Sequence, residues 1–397
     1  MYDIITIGGG LAGSTLAKAM AERGRKVLVL ESTTEFKDRI RGEQLASWGC
    51  AEARELGVYD LLVAECANEM QWWDMFLGPS RIDHQDLTAT TAAQLPNLGY
   101  YHPEMQETLL GAAIKAGAEV RRGARVTGIE PGSPVKVTVD YDDGRTEIIE
   151  APFVAACDGR TSPARSWGEF EVNREPDRLQ IAGVLFDGAK TDDNTAMLVM
   201  NPMKSAATVV FPQGGGRVRS YAVNWKAVAP QRFQGEKDLS AYRAQLTDVG
   251  LSPEIFAEAT PAGPLATFDG ADTWVAHPYN NGLALVGDAA AASDPSWGQG
   301  QPLTLRDVRE LRDQLLEHDS PDQAGHAYAT AHDAYFDTLR RFEDTITDLF
   351  YQPGAEANAR RGKVLTAGPA GLPEMALLQS GPDNVPISGD FRQRVLG

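Results

Sequence analysis

The sequence predicts an α/β protein in which an open parallel sheet is interrupted by an antiparallel sheet lobe and followed by a helical C-terminal region. Three observations carry this. The chain opens as strand, glycine turn, helix and strand. Residues 179–275 are mostly alternating strands. Strand-then-helix patterning returns after residue 282.

The first unit covers residues 1–31. Tyr2-Asp3-Ile4-Ile5-Thr6-Ile7 reads as a buried strand, residues 12–24 as a helix with Leu16, Ala19 and Met20 near one face, and Lys26-Val27-Leu28-Val29-Leu30 as a second strand. Residues 43–65 carry a helical apolar pattern. Residues 69–98 turn to strands or hairpins around Trp72, Trp73, Met75, Phe76 and Leu77. A helix over 103–116 leads to the alternating strand 135–141 and an Asp143-Gly144 hairpin turn. The strand 153–157 ends at Asp158-Gly159. In the sheet lobe, strands are expected over 180–186, 196–200, 207–211 and 217–225, with Gly214-Gly215-Gly216 as a hairpin turn and a helix over 239–249. Strand 282–286 ends at Gly287-Asp288, and helices follow over 302–317 and 321–350. Ser320, Pro321 and Gln323 form a capping box that starts the second. Residues 353–397, richer in Gly and Pro, read as surface loops. The domain pieces are therefore 1–70, 99–178 and 276–352 for the α/β part, 71–98 and 179–275 for the sheet lobe, and 353–397 for the loop segment.

The 397 residues suffice for a large core, and 39 glycines suit close backbone approach to a ligand. A net charge of −18 argues against nucleic acid or an anionic membrane as partner. Cys50, Cys66 and Cys157 are too scattered for a disulfide framework or metal cluster. With no basic, apolar leader pattern and no apolar run of about 18 residues, the expected location is the cytoplasm.

Gly8, Gly10 and Gly13, with Leu11 and Ala12 between them and Glu31 at the end of the second strand, form a dinucleotide-binding pattern. Gly8 permits the turn, Gly10 lets the backbone approach a pyrophosphate, and Gly13 lets helix pack on strand. The helix N-terminus offers N–H groups to phosphate. An acid at 31 suits an adenosine ribose and disfavours a 2′-phosphate, pointing to bound FAD or NAD over NADP. Two later strand ends repeat the logic: Cys157-Asp158-Gly159-Arg160-Thr161-Ser162-Pro163-Ala164-Arg165, and Gly287-Asp288 followed by Asp294-Pro295-Ser296-Trp297-Gly298-Gln299-Gly300. Ligands of open α/β sheets bind at the carboxyl ends of strands, so three such ends imply one extended ligand.

With these motifs in this order the chain resembles the flavoprotein monooxygenases that include para-hydroxybenzoate hydroxylase. The resemblance implies a Rossmann-like FAD-binding domain with an inserted antiparallel substrate sheet. It assigns Gly8, Gly10, Leu11, Ala12, Gly13 and Glu31 to the ADP half of FAD. It assigns Arg41 to the flavin side and Gln106 to the phosphates. Asp158 and Gly159 would touch FAD and the nicotinamide nucleotide, with Ser162 and Arg165 completing that motif. Gly287 and Asp288 would hold the ribityl chain, and Pro295, Gly298, Gln299 and Gly300 would run along the isoalloxazine. One departure stands out: Gln301-Pro302-Leu303 replaces the small residue and Asn common in the family.

The implied reaction is hydroxylation or epoxidation of an aromatic or polyketide-like small molecule, with NADPH or NADH as electron donor and O₂ as oxidant, through a C4a-hydroperoxyflavin. No catalytic base can be named; Tyr100, Tyr101, His102, Tyr221 and Trp225 read as packing. His326, His332 and Asp333 lack metal-ligand spacing, so no metal is expected. The alternatives are a flavin halogenase or two-component oxygenase supplied by a flavin reductase partner, and a flavin-fold protein that binds a small ligand without turnover.

Overall fold

A computed structural model describes residues 1–40, 42–367 and 371–397. The opening unit folds as β1 (Ile4–Ile7), α1 (Leu11–Ala21) and β2 (Val27–Glu31). Every residue of both strands is buried, as continuous apolar strands inside a parallel sheet require. The sheet runs Tyr279–Asn280, Leu283–Leu285, Phe153–Ala156, β1, β2, Glu119–Arg122. All neighbours are parallel except the Tyr279–Asn280 edge. Its three central strand ends put the loops after Ile7, Ala156 and Leu285 side by side, which is why motifs far apart in sequence meet.

On one face the helix His102–Lys115 packs beside α1, with Leu109, Leu110 and Met105 in the same apolar cluster as Leu16 and Met20. The other face is covered by a three-stranded antiparallel meander, Ala124–Glu130, Val135–Tyr141 and Thr146–Ala151.

The second lobe is an eight-stranded sheet built mainly from Leu179–Asp187, Val218–Trp225, Ala206–Pro212 and Thr195–Asn201, and completed by the hairpin Trp72–Leu77 and Ser80–Asp86. Its alternation divides cleanly. Val218, Ser220 and Ala222 face the helix Leu239–Val249, whereas Tyr221 and Val223 face the interior shared with Trp48, Trp297, Leu303 and Phe336. The sheet's inner face is thus turned toward the third motif.

The long helix Pro321–Tyr351 runs unbroken from the Ser320 cap, whose Oγ accepts from the Gln323 N–H. Two expectations change. Residues 43–65 are not one helix: Gln44–Leu45 pairs with Asn97–Tyr100 as a strand, and Ser47–Glu55 and Tyr59–Glu65 are separated at Gly57, whose φ is +66°. Residues 353–397 are not loops alone, for they hold the helices Ala355–Thr366, Leu377–Ser380 and Phe391–Leu396. Tertiary packing supplies what the local sequence lacks: Leu377, Phe391 and Val395 are buried in the same cluster as Phe342 and Ile346 of the long helix.

Candidate cofactor-binding site

The glycine loop is shaped by contacts that only glycine tolerates. Gly8 sits at φ +96°, and a Cβ there would lie 2.5 Å from the Cys157 carbonyl oxygen. A Cβ on Gly13 would lie 1.9 Å from the Gly8 carbonyl oxygen, so helix and strand touch backbone to backbone. Gly10 faces the Gln106 side chain, with Nε2 3.3 Å from where a Cβ would be. α1 starts at Leu11 with no side-chain cap and no acid in its first turn, which leaves its N-terminal partial charge for an anion. Glu31 is buried. Its Oε2 accepts from the Gly9 N–H at 2.7 Å, and Oε1 accepts from the Thr33 N–H and Oγ at 2.8 Å each. The acid therefore fixes the glycine loop.

The second motif sits across the sheet. Asp158 is largely enclosed; its Oδ2 accepts from the Ala164 N–H at 3.3 Å, while Oδ1 is buried without a partner. Burial pushes this carboxyl above its ordinary range. Arg165 does not face outward. It donates to the carbonyls of Asp288 (2.7 Å), Ala289 (2.8 Å) and Arg160 (3.1 Å), and so ties the second strand end to the third. Arg160 repeats the tie with Ser293 and Ala271.

At the third strand end, Gly287 has φ +64°, and its N–H donates to the Asp307 Oδ2 at 2.8 Å. Asp307 is fully buried and also accepts from the Tyr335 hydroxyl (2.6 Å) and pairs with His332 Nδ1 (3.0 Å). This network holds the turn that presents Asp288. Pro295–Trp297 forms a single 3-10 turn closed by Gly298 at φ +71°. Gln299 is buried with its side chain fully engaged: it accepts from Trp48 Nε1 at 2.9 Å and donates to the Trp297 and Leu378 carbonyls. The helix Gly300–Glu317 begins there, again with no side-chain cap and no acid in its first turn. Gln301, at the departure from the family pattern, donates to the Gly42 carbonyl and accepts from the Tyr100 hydroxyl, so it fastens residue 42 to this helix start. Arg41 lies outside the described residues.

Sequence reading missed Asp307, His332 and Tyr335. The available signal was Asp307 itself, an acid four residues from both Leu303 and Leu311, inside the buried stripe of its helix. His332, set aside as a metal ligand, turns to that acid. Among the described residues no group of ligand side chains could hold a metal ion.

Three strand ends, two uncapped helix starts and three glycine turns define a dinucleotide-binding α/β protein with an appended sheet lobe. The FAD binding domain family matches residues 1–349, and the chain belongs to that family. Rifampicin monooxygenase of Streptomyces venezuelae is 26% identical over 322 residues, covering 78% of this chain and 63% of the relative. The chain therefore spans less than two thirds of that relative's length. Digeranylgeranylglycerophospholipid reductase 1 of Methanococcoides burtonii is 28% identical over 315 residues, 75% of this chain and 70% of the relative. The solved structure of p-nitrophenol 4-monooxygenase from Pseudomonas putida superposes with a TM-score of 0.80 at 17% identity, covering 100% and 98% of the two chains. That superposition shows the Rossmann-like fold with its inserted sheet to be shared with the Pseudomonas putida structure over the length of the chain.

The residues present fit FAD. The loop over residues 8–13 leaves a cradle that a side chain at Gly10 would fill against Gln106, and Asp158 offers a buried, unpaired oxygen. Gly8, Gly10, Leu11, Ala12, Gly13, Glu31 and Gln106 would hold the ADP half. Asp158, Gly159, Gly287 and Asp288 would hold the middle, and Pro295, Gly298, Gln299 and Gly300 the ring end through their backbone.

Proposed function

We propose that the protein is an FAD-dependent monooxygenase that uses NAD(P)H and O₂ to hydroxylate or epoxidise an aromatic or polyketide-like small molecule. The observation that carries this reading is the facing of two surfaces: the Pro295–Trp297 turn on one side, and the apolar inner face of the antiparallel sheet on the other. FAD, when bound, would supply the redox chemistry between NAD(P)H and O₂.

The chain's own residues do the rest. The α1 N-terminus and the glycine loop neutralise pyrophosphate. The N-terminus of Gly300–Glu317 stabilises negative charge at the ring end. Trp73, Phe211 and Tyr221 line the sheet face and exclude water. No helix among the described residues is long and apolar enough to cross a membrane. The three free cysteines suit a reducing compartment such as the cytoplasm.

Purified protein is expected to carry flavin absorbance and to consume O₂ with NADPH or NADH when a suitable aromatic is added, with one oxygen atom in the product. The Methanococcoides burtonii relative, a digeranylgeranylglycerophospholipid reductase by name, supports a second reading, reduction of the substrate in place of oxygenation; reduced product without O₂ uptake would replace the first reading with this one. Turnover only with a separate flavin reductase would move the protein to the two-component class.

A further inference from the structure

The outer face of the sheet lobe carries a cavity that the cofactor site does not use. It measures about 160 Å³ and opens to solvent between the helix Leu239–Val249 and the 3-10 turn Pro253–Phe256. Leu246, Leu251 and Phe256 line it, and all three are buried in one apolar cluster with Val184 and Phe186 of the sheet. The inner face of the same sheet, turned toward the third motif, packs in a different cluster.

The walls are pinned. Gly250, at φ +132°, brings the chain hard against the Gly78 turn, where a Cβ would lie 2.4 Å from the Gly78 carbonyl carbon. The Leu251 N–H donates to the Leu246 carbonyl at 3.1 Å, and the Asn201 side chain donates to the Val249 carbonyl at 3.1 Å. The far wall is held by the Lys190 N–H on the Ile255 carbonyl at 2.9 Å, and by the Phe256 ring on Phe186, with centroids 4.7 Å apart. A cavity held in this way is formed before any ligand arrives. Its volume is close to the ~150 Å³ of an apolar cavity that admits benzene.

One charged group lines it. Arg243 is half-buried, its guanidinium carbon 5.1 Å from the centroid of the Phe186 ring. Nη2 donates to the Ala259 carbonyl. Nε is buried without a partner, and Nη1 has none among the described residues. Among those residues no carboxylate pairs with Arg243; Asp248 pairs with Lys204, and Glu258 with Lys190. No lining side chain is acidic, in a chain whose net charge is −18. Holding the Ala259 carbonyl takes one of the five guanidinium N–H groups. A guanidinium edge left over matches a carboxylate in shape and charge.

We propose that this cavity is a second small-molecule site, and that it takes a monocarboxylate whose compact apolar body has about six carbons, the size of benzoate. The carboxylate pairs with Arg243, and the body lies on Leu246, Leu251 and Phe256. No covalent bond is made or broken. The site lies across the sheet from the third motif and does not depend on the monooxygenase reading.

The test titrates benzoate into the FAD holoenzyme by calorimetry, with benzamide as the uncharged control and flavin absorbance followed alongside. Wild type is expected to show a saturable benzoate site that leaves the flavin spectrum unchanged, and to bind benzamide about tenfold more weakly. Arg243→Met keeps an apolar stem over Phe186 and should weaken benzoate about tenfold while leaving benzamide unchanged. Ala257→Phe fills the cavity from its exposed rim and should abolish binding of both; it serves if Arg243→Met does not fold. The proposal is overturned by no saturable binding in wild type, by benzamide binding as tightly as benzoate, or by benzoate binding left whole in the variants that fold. A wild type that is dimeric and becomes monomeric as Ala257→Phe gives the cavity to a second copy of the chain and overturns it too.

Discussion

The two ends of the proposed cofactor site, the ADP end and the ring end, are built differently. The ADP end is assembled from neighbours in sequence: the glycine loop, the helix it starts and the acid of the next strand, which bonds back to Gly9. The ring end is assembled from afar. Gly287 is held by Asp307, Asp288 and Ala289 by Arg165, and Gln299 by Trp48 and Leu378. The first end depends on backbone fit and the second on buried side-chain ties. A local motif can announce the first; the second is announced only by pieces.

The comparison breaks most visibly at Gly13. Gly13→Val places carbon against the Gly8 carbonyl, where a Cβ already has only 1.9 Å, and neither partner is a flexible side chain. The expected outcome is loss of about 3 kcal/mol or more of stability and protein purified without flavin, read by absorbance and thermal unfolding.

At the other end Asp307→Ala strands the Gly287 N–H and the Tyr335 hydroxyl in the core. About 3 kcal/mol of stability should be lost in urea denaturation, with faster FAD release. If FAD affinity is unchanged at a matched temperature, the ring end is less dependent on its ties than this contrast holds.

The smallest effect is one of pH. Asp272 accepts from the Asp294 N–H beside the third motif, and burial next to Asp294 pushes it up to about 7, with Glu175 raising and Arg160 lowering it. An unfolded aspartate titrates near ~4. The folded state therefore holds this proton more tightly, so the stability it gives is full below about pH 4 and is lost as pH rises through about 7. Asp272→Asn keeps the acceptor and cannot ionise. Its stability relative to wild type should rise by about 2.5 kcal/mol between pH 5 and pH 8, measured by denaturant midpoints. A pH-independent difference would mean that Asp272 does not titrate in this window.

What the sequence made legible follows the same division. The strands of the sheet lobe and the helix Leu239–Val249 were readable because period-two and period-3.6 patterns are local. Gln44–Leu45 was not, since only its pairing with Asn97–Tyr100 makes it a strand. The helix Ala355–Thr366 was hidden by polar composition. Part of its support is Arg361, whose buried guanidinium donates to the Leu349 and Gln352 carbonyls at the end of the long helix. Arg165 was recognised as part of a motif, but its direction, into the protein and across to the third strand end, required the fold.

The hairpin Trp72–Leu77 and Ser80–Asp86 joins its sheet by a parallel pairing with Thr195–Asn201, a strand made far later in the chain. During synthesis that hairpin must wait, its tryptophans exposed, until the later strand emerges. Such nonlocal closure slows folding. It also welds the lobes by topology: residues 179–275 expressed alone would present the bare edge of Thr195–Asn201 as a template for other chains.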